Sequence, residues 1–503
     1  MFLKSGTLAL ALLIVSRFTG LWRESALAAT LGVTGFADAA IVMLTFPDWL
    51  TAIVAGGALG YVLLPHWAQQ TPRQRALTHL AVGQWLLFGS VALALLVAMF
   101  RHTIAQWMAP GLTGDLLNQT AQGVAWAAFA LPAAFLASLG ITRLQHEQDF
   151  VGMYSANLVV NSVLVLVIYL LAVPILSDHA ANLLGLGLVL AAGLRLLWVQ
   201  WRVRARSDQD RLLPDEPLEP LPKAHLWAWG ILAAGLPLTL PIVARSVASL
   251  GGTGALATFN YAWKLVELPL VLAIQLVTAL AFPSIVQAFA ASSPGQPQDS
   301  TAGHQAVRGA LALAWTVACA CAIALQIAAP AIASLLFGWG SMPSERLVVI
   351  AAWGAAGAWG LLPQALIAVI LTVLAAQGRL WQAVGYYAVA LFALIAFVAW
   401  GEQDGIWLMR YLNIVLTGTA VAMLFAVKRS HEDFRAVATL IPWSALVAPV
   451  PMLIGWQGAA WLGWAPYFPA SSGSGLWLGL GAALCVGCIN FMFSRDLRLA
   501  LRR

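Results

Sequence analysis

Long apolar runs, separated by short polar segments, occupy almost the whole of this chain. A bilayer core of about 30 Å takes roughly twenty residues of helix, so each run of that length predicts a membrane span. Fourteen runs qualify, at 4–30, 36–67, 77–100, 119–144, 151–173, 180–202, 225–250, 254–290, 306–337, 345–376, 379–400, 405–427, 436–459 and 473–494. The fold class this pattern predicts is an all-α polytopic membrane protein. The second and eighth runs exceed what a bilayer needs and should tilt, bend or extend beyond it. Pro47 and Pro269 are the expected bend points. The first run begins like a signal peptide, but Arg17 follows at once and the apolar pattern resumes to Leu31. It therefore reads as a retained helix.

Composition agrees with the pattern. Of the 503 residues, 61% are hydrophobic and 9% charged, where a soluble domain carries about 25% charged residues. The 23 tryptophans suit interfacial belts. The net charge of +6 is no nucleic-acid signal, because the basic residues sit at short loops between apolar runs. Eighteen of the 26 Lys and Arg residues lie at even-numbered loops and the two termini, from Lys4 to Arg503. Odd-numbered loops hold only Arg101 and Arg346. This asymmetry predicts that both termini are cytoplasmic. The four cysteines lie within apolar runs, and "CVGC" at Cys485 has no partner motif, so small apolar filler is the expected role. The eight histidines form no pair at metal-ligand spacing, and no metal site is expected.

The longest polar stretch, "RARSDQDRLLPDEPLEPLPK", reads as a Pro-rich cytoplasmic linker. The expected organisation is a six-helix lobe over 1–203, the linker over 204–223, a second six-helix lobe over 224–428, and spans thirteen and fourteen with a basic tail over 429–503. A faint internal repeat supports two similar halves. "TGFADAAIVMLTFP" opens the second span and "TGALATFNYAWKLVELP" the eighth, with Thr34-Gly35 and Thr253-Gly254 separated by 219 positions. Internal repeats with a site at the interface of the halves are a transporter signature.

Six cations fall inside spans: Arg17, Arg23, Arg195, Arg245, Lys264 and Arg410. A charge at the bilayer centre costs roughly 2.5–3.5 kcal/mol, so each must face protein or water and find a partner. Arg17 and Glu24 are seven apart and return to nearly the same helix face, where an Arg17–Glu24 contact would lower the cost; Arg23 points about 120° away. Asp38 and Asp48 lie in the adjoining span, and Lys264 and Glu267, three apart, in the eighth. Arg245 has no carboxylate in its own span and is expected to face a cavity. Arg195 and Arg410 are read as lying near span ends, where they would snorkel. Charges at like places in two halves suggest one shared polar cavity. Arg and Lys in such a cavity suit a diphosphate.

Several segments resemble one family. "SRFTGLWRESALAATLGVTGFADAA" with "FPDWLTAIVAGGALGYVLLP", then "GALATFNYAWKLVELP" with "LAFPSIVQ", resemble the MurJ/MviN family of lipid II flippases, within the superfamily of multidrug and polysaccharide-lipid exporters. Shorter matches are "APGL", "LASLGITRLQ" and "SANLVVN". The resemblance implies two six-helix lobes around a central water-filled cavity, two further C-terminal helices forming a lipid groove, and an undecaprenyl-diphosphate-linked precursor as substrate. Arg17, Arg23 and Asp38 match polar positions of that family, and Lys264 stands where it commonly has an Arg; together with Arg245, read above as facing a cavity, these are the candidate substrate-binding residues, and the charged positions Glu24, Asp48 and Glu267 are the candidates for ion coupling or gating. The chain departs from the family at Thr51, where an Arg is usual, and at Gly56, where an acid is usual.

The expected partners are a polyprenyl-diphosphate-linked glycan and membrane lipids, with no nucleic acid, no cofactor and a monomeric state. The expected location is the bacterial inner membrane. Membrane potential, with Na⁺ or H⁺ coupling, is the expected energy source. Thr51 keeps open a flippase for an exopolysaccharide or O-antigen-type lipid-linked glycan. A drug or cation antiporter would need a cavity of carboxylates or aromatics instead. A membrane transferase would need clustered metal-binding acids at the surface, and the odd-numbered loops are short and nearly uncharged; no enzyme is expected.

Overall fold

The computed structural model describes residues 2–173, 179–207, 220–271, 300–376, 379–429, 442–461 and 474–501. Among these residues every regular element is helical. Eleven helices are long and apolar enough to cross a membrane. A further helix, α1 (Phe2–Leu31), is 30 residues long and carries Lys4, Arg17, Arg23 and Glu24. The expected span 254–290 is described only as far as 271. The expected span 436–459 is described from Pro442, as two short helices. An architecture of fourteen spans is compatible with all of this.

Local chemistry fixes where the helices start. The hydroxyl of Thr34 accepts the Ala37 N–H at 3.1 Å and caps α2, which runs as α-helix over Gly35–Ala52. Helix α2 then widens into a π-helix, Ile53–Leu63, and closes as α-helix over Leu64–Trp67. The irregularity expected at Pro47 thus begins six residues later, where Gly56, Gly57 and Gly60 let another helix approach. A reciprocal Thr71–Gln74 capping box with Pro72 at the first position starts α3 (Pro72–Met99). The eight-residue α4 (Arg101–Met108) was too short to register as an apolar run. There follow α5 (Gly114–His146), α6 (Phe150–Leu170), α7 (Ala180–Ser207), α8 (Ala224–Ala248) and α9 (Ala255–Pro269).

After these come α10 (Ser300–Phe337) and α11, whose pieces Ser344–Gly357 and Leu361–Ala376 are joined by a 3-10 turn, Ala358–Gly360. The chain ends with α12 (Leu380–Trp400), α13 (Gly405–Arg429), α14 (Trp443–Val447), α15 (Val450–Trp461), α16 (Ser474–Phe493) and α17 (Arg495–Leu501).

The helices gather into two compact units. The first comprises Met1–Ala257 with Trp339–Met342. Within it α5 packs on α2, α3 and α7, α1 packs on α6, and α8 packs on the π segment of α2. Leu59, Leu63, Trp67, Val82 and Leu139 form one buried cluster, and Leu144, Ala156, Val199 and Val203 another. The second unit comprises Thr258–Gly338 with Pro343–Arg503. There α10 packs against α11, α16 and α17 around Cys319, Ile323, Ile327, Leu453 and Val486. Cys319 is core filler, while Cys485 and Cys488 are exposed on α16. Asn490 of α16 donates to the Thr316 hydroxyl of α10 at 2.5 Å.

Lipid gives helices no hydrophobic reason to associate, so small residues that allow close backbone approach carry the contact. Gly57 in the π segment and Gly230 in α8 meet this way. A Cβ at Gly230 would lie 2.8 Å from the Gly57 carbonyl oxygen, and one at Gly57 would lie 2.9 Å from the Gly230 carbonyl carbon. Gly57→Ala should therefore destabilise the protein by about 1–3 kcal/mol through overpacking. Gly89→Ala, where nothing lies within 4 Å of the added carbon, should not. Thermal unfolding in detergent compares the two.

Candidate functional site

Helix α2 carries a polar ridge. Asp38, Thr45 and Asp48 follow one another at seven- and three-residue steps, which keeps them near one face over about 15 Å. Each receives a donor from elsewhere in the first unit.

Asp38 is fully buried. Its two carboxylate oxygens accept the N–H groups of Gly254 and Ala257, each at 2.7 Å. These donors open α9, whose first N–H groups have no partner within the helix. Gly254 holds φ at +79°, and a side chain there would also run into the Val33 carbonyl. The two ends of the sequence repeat thus meet: Asp38 bonds Ala257, the position 219 residues on. In this structure Asp38, a candidate substrate contact, serves as the cap of α9.

Farther along α2, Asp48 accepts from Nη1 of Arg23 at 3.1 Å. Nη2 of the same guanidinium donates to Glu24 at 3.0 Å. The Arg23 side chain is 12% exposed and that of Asp48 56%, so this ion pair spans from interior to solvent-reachable surface. The expected Arg17–Glu24 pairing is replaced by Arg23–Glu24. Adjacent residues reach each other because the long Arg23 side chain curls back between Glu24 and Asp48. Arg17 is exposed on α1 and forms no ion pair among the described residues. Its charge acts on Tyr154 of α6. Next to it Asn161 donates to the Thr19 hydroxyl at 3.2 Å, and Trp22 donates to the Tyr169 hydroxyl at 3.3 Å.

Arg245 enters from α8. It is buried, and its Nη1 donates to the Thr45 hydroxyl at 3.1 Å, one turn from Asp48. A further cation comes from α7. Arg195 was expected near a span end, but α7 continues to Ser207, twelve residues or about 18 Å further. Arg195 is part-buried in the middle of that helix, and Asp48 is the carboxylate whose charge acts on it. The sequence signal for Arg195 was a lone Arg in an apolar run ending in Arg202, which obscured how far the helix extends.

Two guanidiniums, Arg23 from α1 and Arg245 from α8, thus bond the ridge of α2, which itself carries the carboxylates Asp38 and Asp48. Guanidinium forks match the oxygens of phosphate and carboxylate groups. Thr51 is buried one turn beyond Asp48, and Gly56 lies in the π segment. In the second unit, Lys264 donates to Glu267 at 2.8 Å along one face of α9, as the three-residue spacing predicts. Among the described residues no three His, Cys, Asp or Glu side chains gather as metal ligands.

Helices of this number and apolarity, with ion-paired charges held inside them, define a multi-pass membrane transporter, and solved transporters share the fold. A multidrug resistance MATE family transporter of the MOP superfamily, inward-facing, superposes with a TM-score of 0.61 at 15% identity, covering 84% of this chain and 95% of that one. A MOP superfamily transporter from Pyrococcus furiosus gives 0.60 at 14% identity, covering 86% and 94%. A lipid II flippase MurJ in an inward closed conformation gives 0.74 at 15% identity, covering 99% of this chain and 100% of that one. The sequence pattern of the lipid II flippase MurJ family matches residues 27–439, and the chain belongs to that family. The match starts just after Arg17, Arg23 and Glu24. No curated protein sequence matches this chain.

The Asp38 cap makes a prediction. Asp38→Asn keeps the shape but removes the charge that both N–H groups bond, so it should cost about 1.5–3 kcal/mol. Thr34→Ala, an ordinary cap loss, should cost only about 1 kcal/mol. Thermal unfolding of the two purified variants orders them.

Proposed function

We propose that this protein moves lipid II, an undecaprenyl-diphosphate-linked cell-wall precursor, from the cytoplasmic to the periplasmic leaflet by alternating access. The observation that carries this reading, beside family membership, is the set of guanidiniums at the ridge of α2 in a chain otherwise built for lipid. Only the headgroup of such a substrate needs a polar path, since its tail can stay in the bilayer. A diphosphate is the group that Arg23 and Arg245 suit, with Arg17 exposed on the same unit; Lys264 of the second unit, paired with Glu267, is a separate candidate contact. Glu24, Asp48 and Glu267 keep these cations paired while the site is empty of substrate. Asp38 holds the start of α9 and acts as a latch that one step of the cycle releases.

The protein acts as a transporter and not as an enzyme, working as a monomer in the bacterial inner membrane with both termini in the cytoplasm. The loop asymmetry of basic residues supports that orientation. A second reading, transport of another lipid-linked glycan, is favoured by Thr51, which supplies no cation where the family usually has one.

Membrane potential suits this cargo. A diphosphate carries about two negative charges, and moving each outward is downhill by about 2.3 kcal/mol per 100 mV. In proteoliposomes, collapsing the potential should slow the flipping of lipid II more than removing a pH gradient does. Unchanged flipping at zero potential, with a pH or Na⁺ gradient kept, would shift the drive to ion exchange at the carboxylates. Arg23→Ala and Lys264→Ala should each lower flipping at least about tenfold with insertion intact, the loss of one charge-assisted hydrogen bond or more. Lys264→Arg should retain it. Wild-type flipping in both alanine variants would make these residues structural only.

A further inference from the structure

Arg195 is a cation of the first unit whose side chain keeps a buried polar atom without a hydrogen bond. Arg195 lies in the middle of α7, about 18 Å from its Ser207 end. Its Nε is buried and makes no hydrogen bond, and Arg195 forms no ion pair among the described residues. A guanidinium has five N–H donors and cannot lose its charge. Leaving it in that state inside a span is costly, and a protein keeps such a residue where something comes to bond it.

The neighbouring carboxylate indicates what that is. Helices α2 and α7 touch, and the charge that acts on Arg195 is that of Asp48. Asp48 is already bonded by Arg23 at 3.1 Å, and more than half of its side chain is exposed. One exposed carboxylate thus bonds Arg23 and sits on the helix that packs against the helix of Arg195. Glu24, by contrast, is buried and holds the other fork of Arg23.

We propose that Arg195 and Arg23 are the two jaws of an oxyanion site, and that Asp48 is the resident anion a diphosphate displaces. The proposal rests on the lipid-diphosphate reading given above and names the residues that grip the cargo. A carboxylate and a phosphate accept from the same guanidinium fork, but a diphosphate brings more acceptor oxygens. The exchange gives Arg195 the bonds it lacks, while Arg23 keeps Glu24. Asp48 swings to the solvent side, where its exposure already places it. When the cargo leaves, Asp48 returns and limits the unbalanced positive charge in the empty site. Arg195 is thus a substrate-binding residue, and Asp48 a competitor of the substrate.

This arrangement predicts opposite signs for two neutralising substitutions, which a purely structural ion cluster does not. The test is binding of undecaprenyl diphosphate to the purified full-length protein in detergent, read by native mass spectrometry, with thermal midpoints recorded alongside. Arg195→Gln should weaken binding roughly ten- to a hundredfold, the worth of hydrogen bonds to a charged group. Arg195→Lys should lose less. Asp48→Asn should bind several-fold more tightly, since the competing anion is gone. If Arg195→Gln does not fold, Arg195→Lys and Asp48→Asn decide the matter between them. Unchanged affinity in Arg195→Gln, or weaker binding in Asp48→Asn, while Arg23→Gln still weakens binding, would overturn the two-jaw site and leave the flippase reading standing. No binding of the diphosphate by the wild-type protein would overturn the flippase reading itself.

Discussion

A charge inside a bilayer must find a partner, and the first unit is organised by how its charges do so. The ridge of α2 is the meeting place. Asp38 takes the open N–H groups of α9, Thr45 takes Arg245 from α8, and Asp48 takes Arg23 from α1. Each bond crosses between helices that lipid alone would not hold together. Polar groups in this unit therefore have two roles: they join helices, and they pair the cations held among those helices.

The same helix changes character along its length. Its start is rigid, capped by Thr34 and fastened by Asp38. Its middle carries the charged ridge. Its end widens into a π-helix whose Gly57 lies against Gly230. A π segment breaks the regular hydrogen-bond ladder and is found most often at functional sites. The second unit has a simpler plan, with α10 enclosed by neighbours and a buried Asn490–Thr316 bond fixing the C-terminal helix to it.

Much of this was legible in the sequence, because membrane helices announce themselves through apolar length. Eleven of the fourteen expected runs coincide with helices of sufficient length and apolarity. The charged positions Arg23, Asp38, Asp48 and Arg245 were also visible, since each interrupts an apolar run. Partner choice was not. The helical wheel favoured Arg17 with Glu24, but a long Arg side chain can reach its sequence neighbour, and Arg23 does. Asp38 read as a cavity acid, because bonding to the backbone of a helix start 219 residues away leaves no mark in the side-chain pattern. The helix that carries Arg195 read about one turn too short, since "WVQWRVRARS" stays helical well past its first Arg. Short α4 and the π segment escaped because neither changes hydrophobic periodicity enough to show.

The central claim is that this chain carries a diphosphate-linked lipid across the membrane. The most direct measurement is the fraction of lipid II reachable from the periplasmic face in cells depleted of their own essential lipid II flippase and supplied with this protein. The account predicts that the inserted wild-type chain restores periplasmic lipid II and growth. Normal insertion with lipid II still confined to the cytoplasmic leaflet would contradict it.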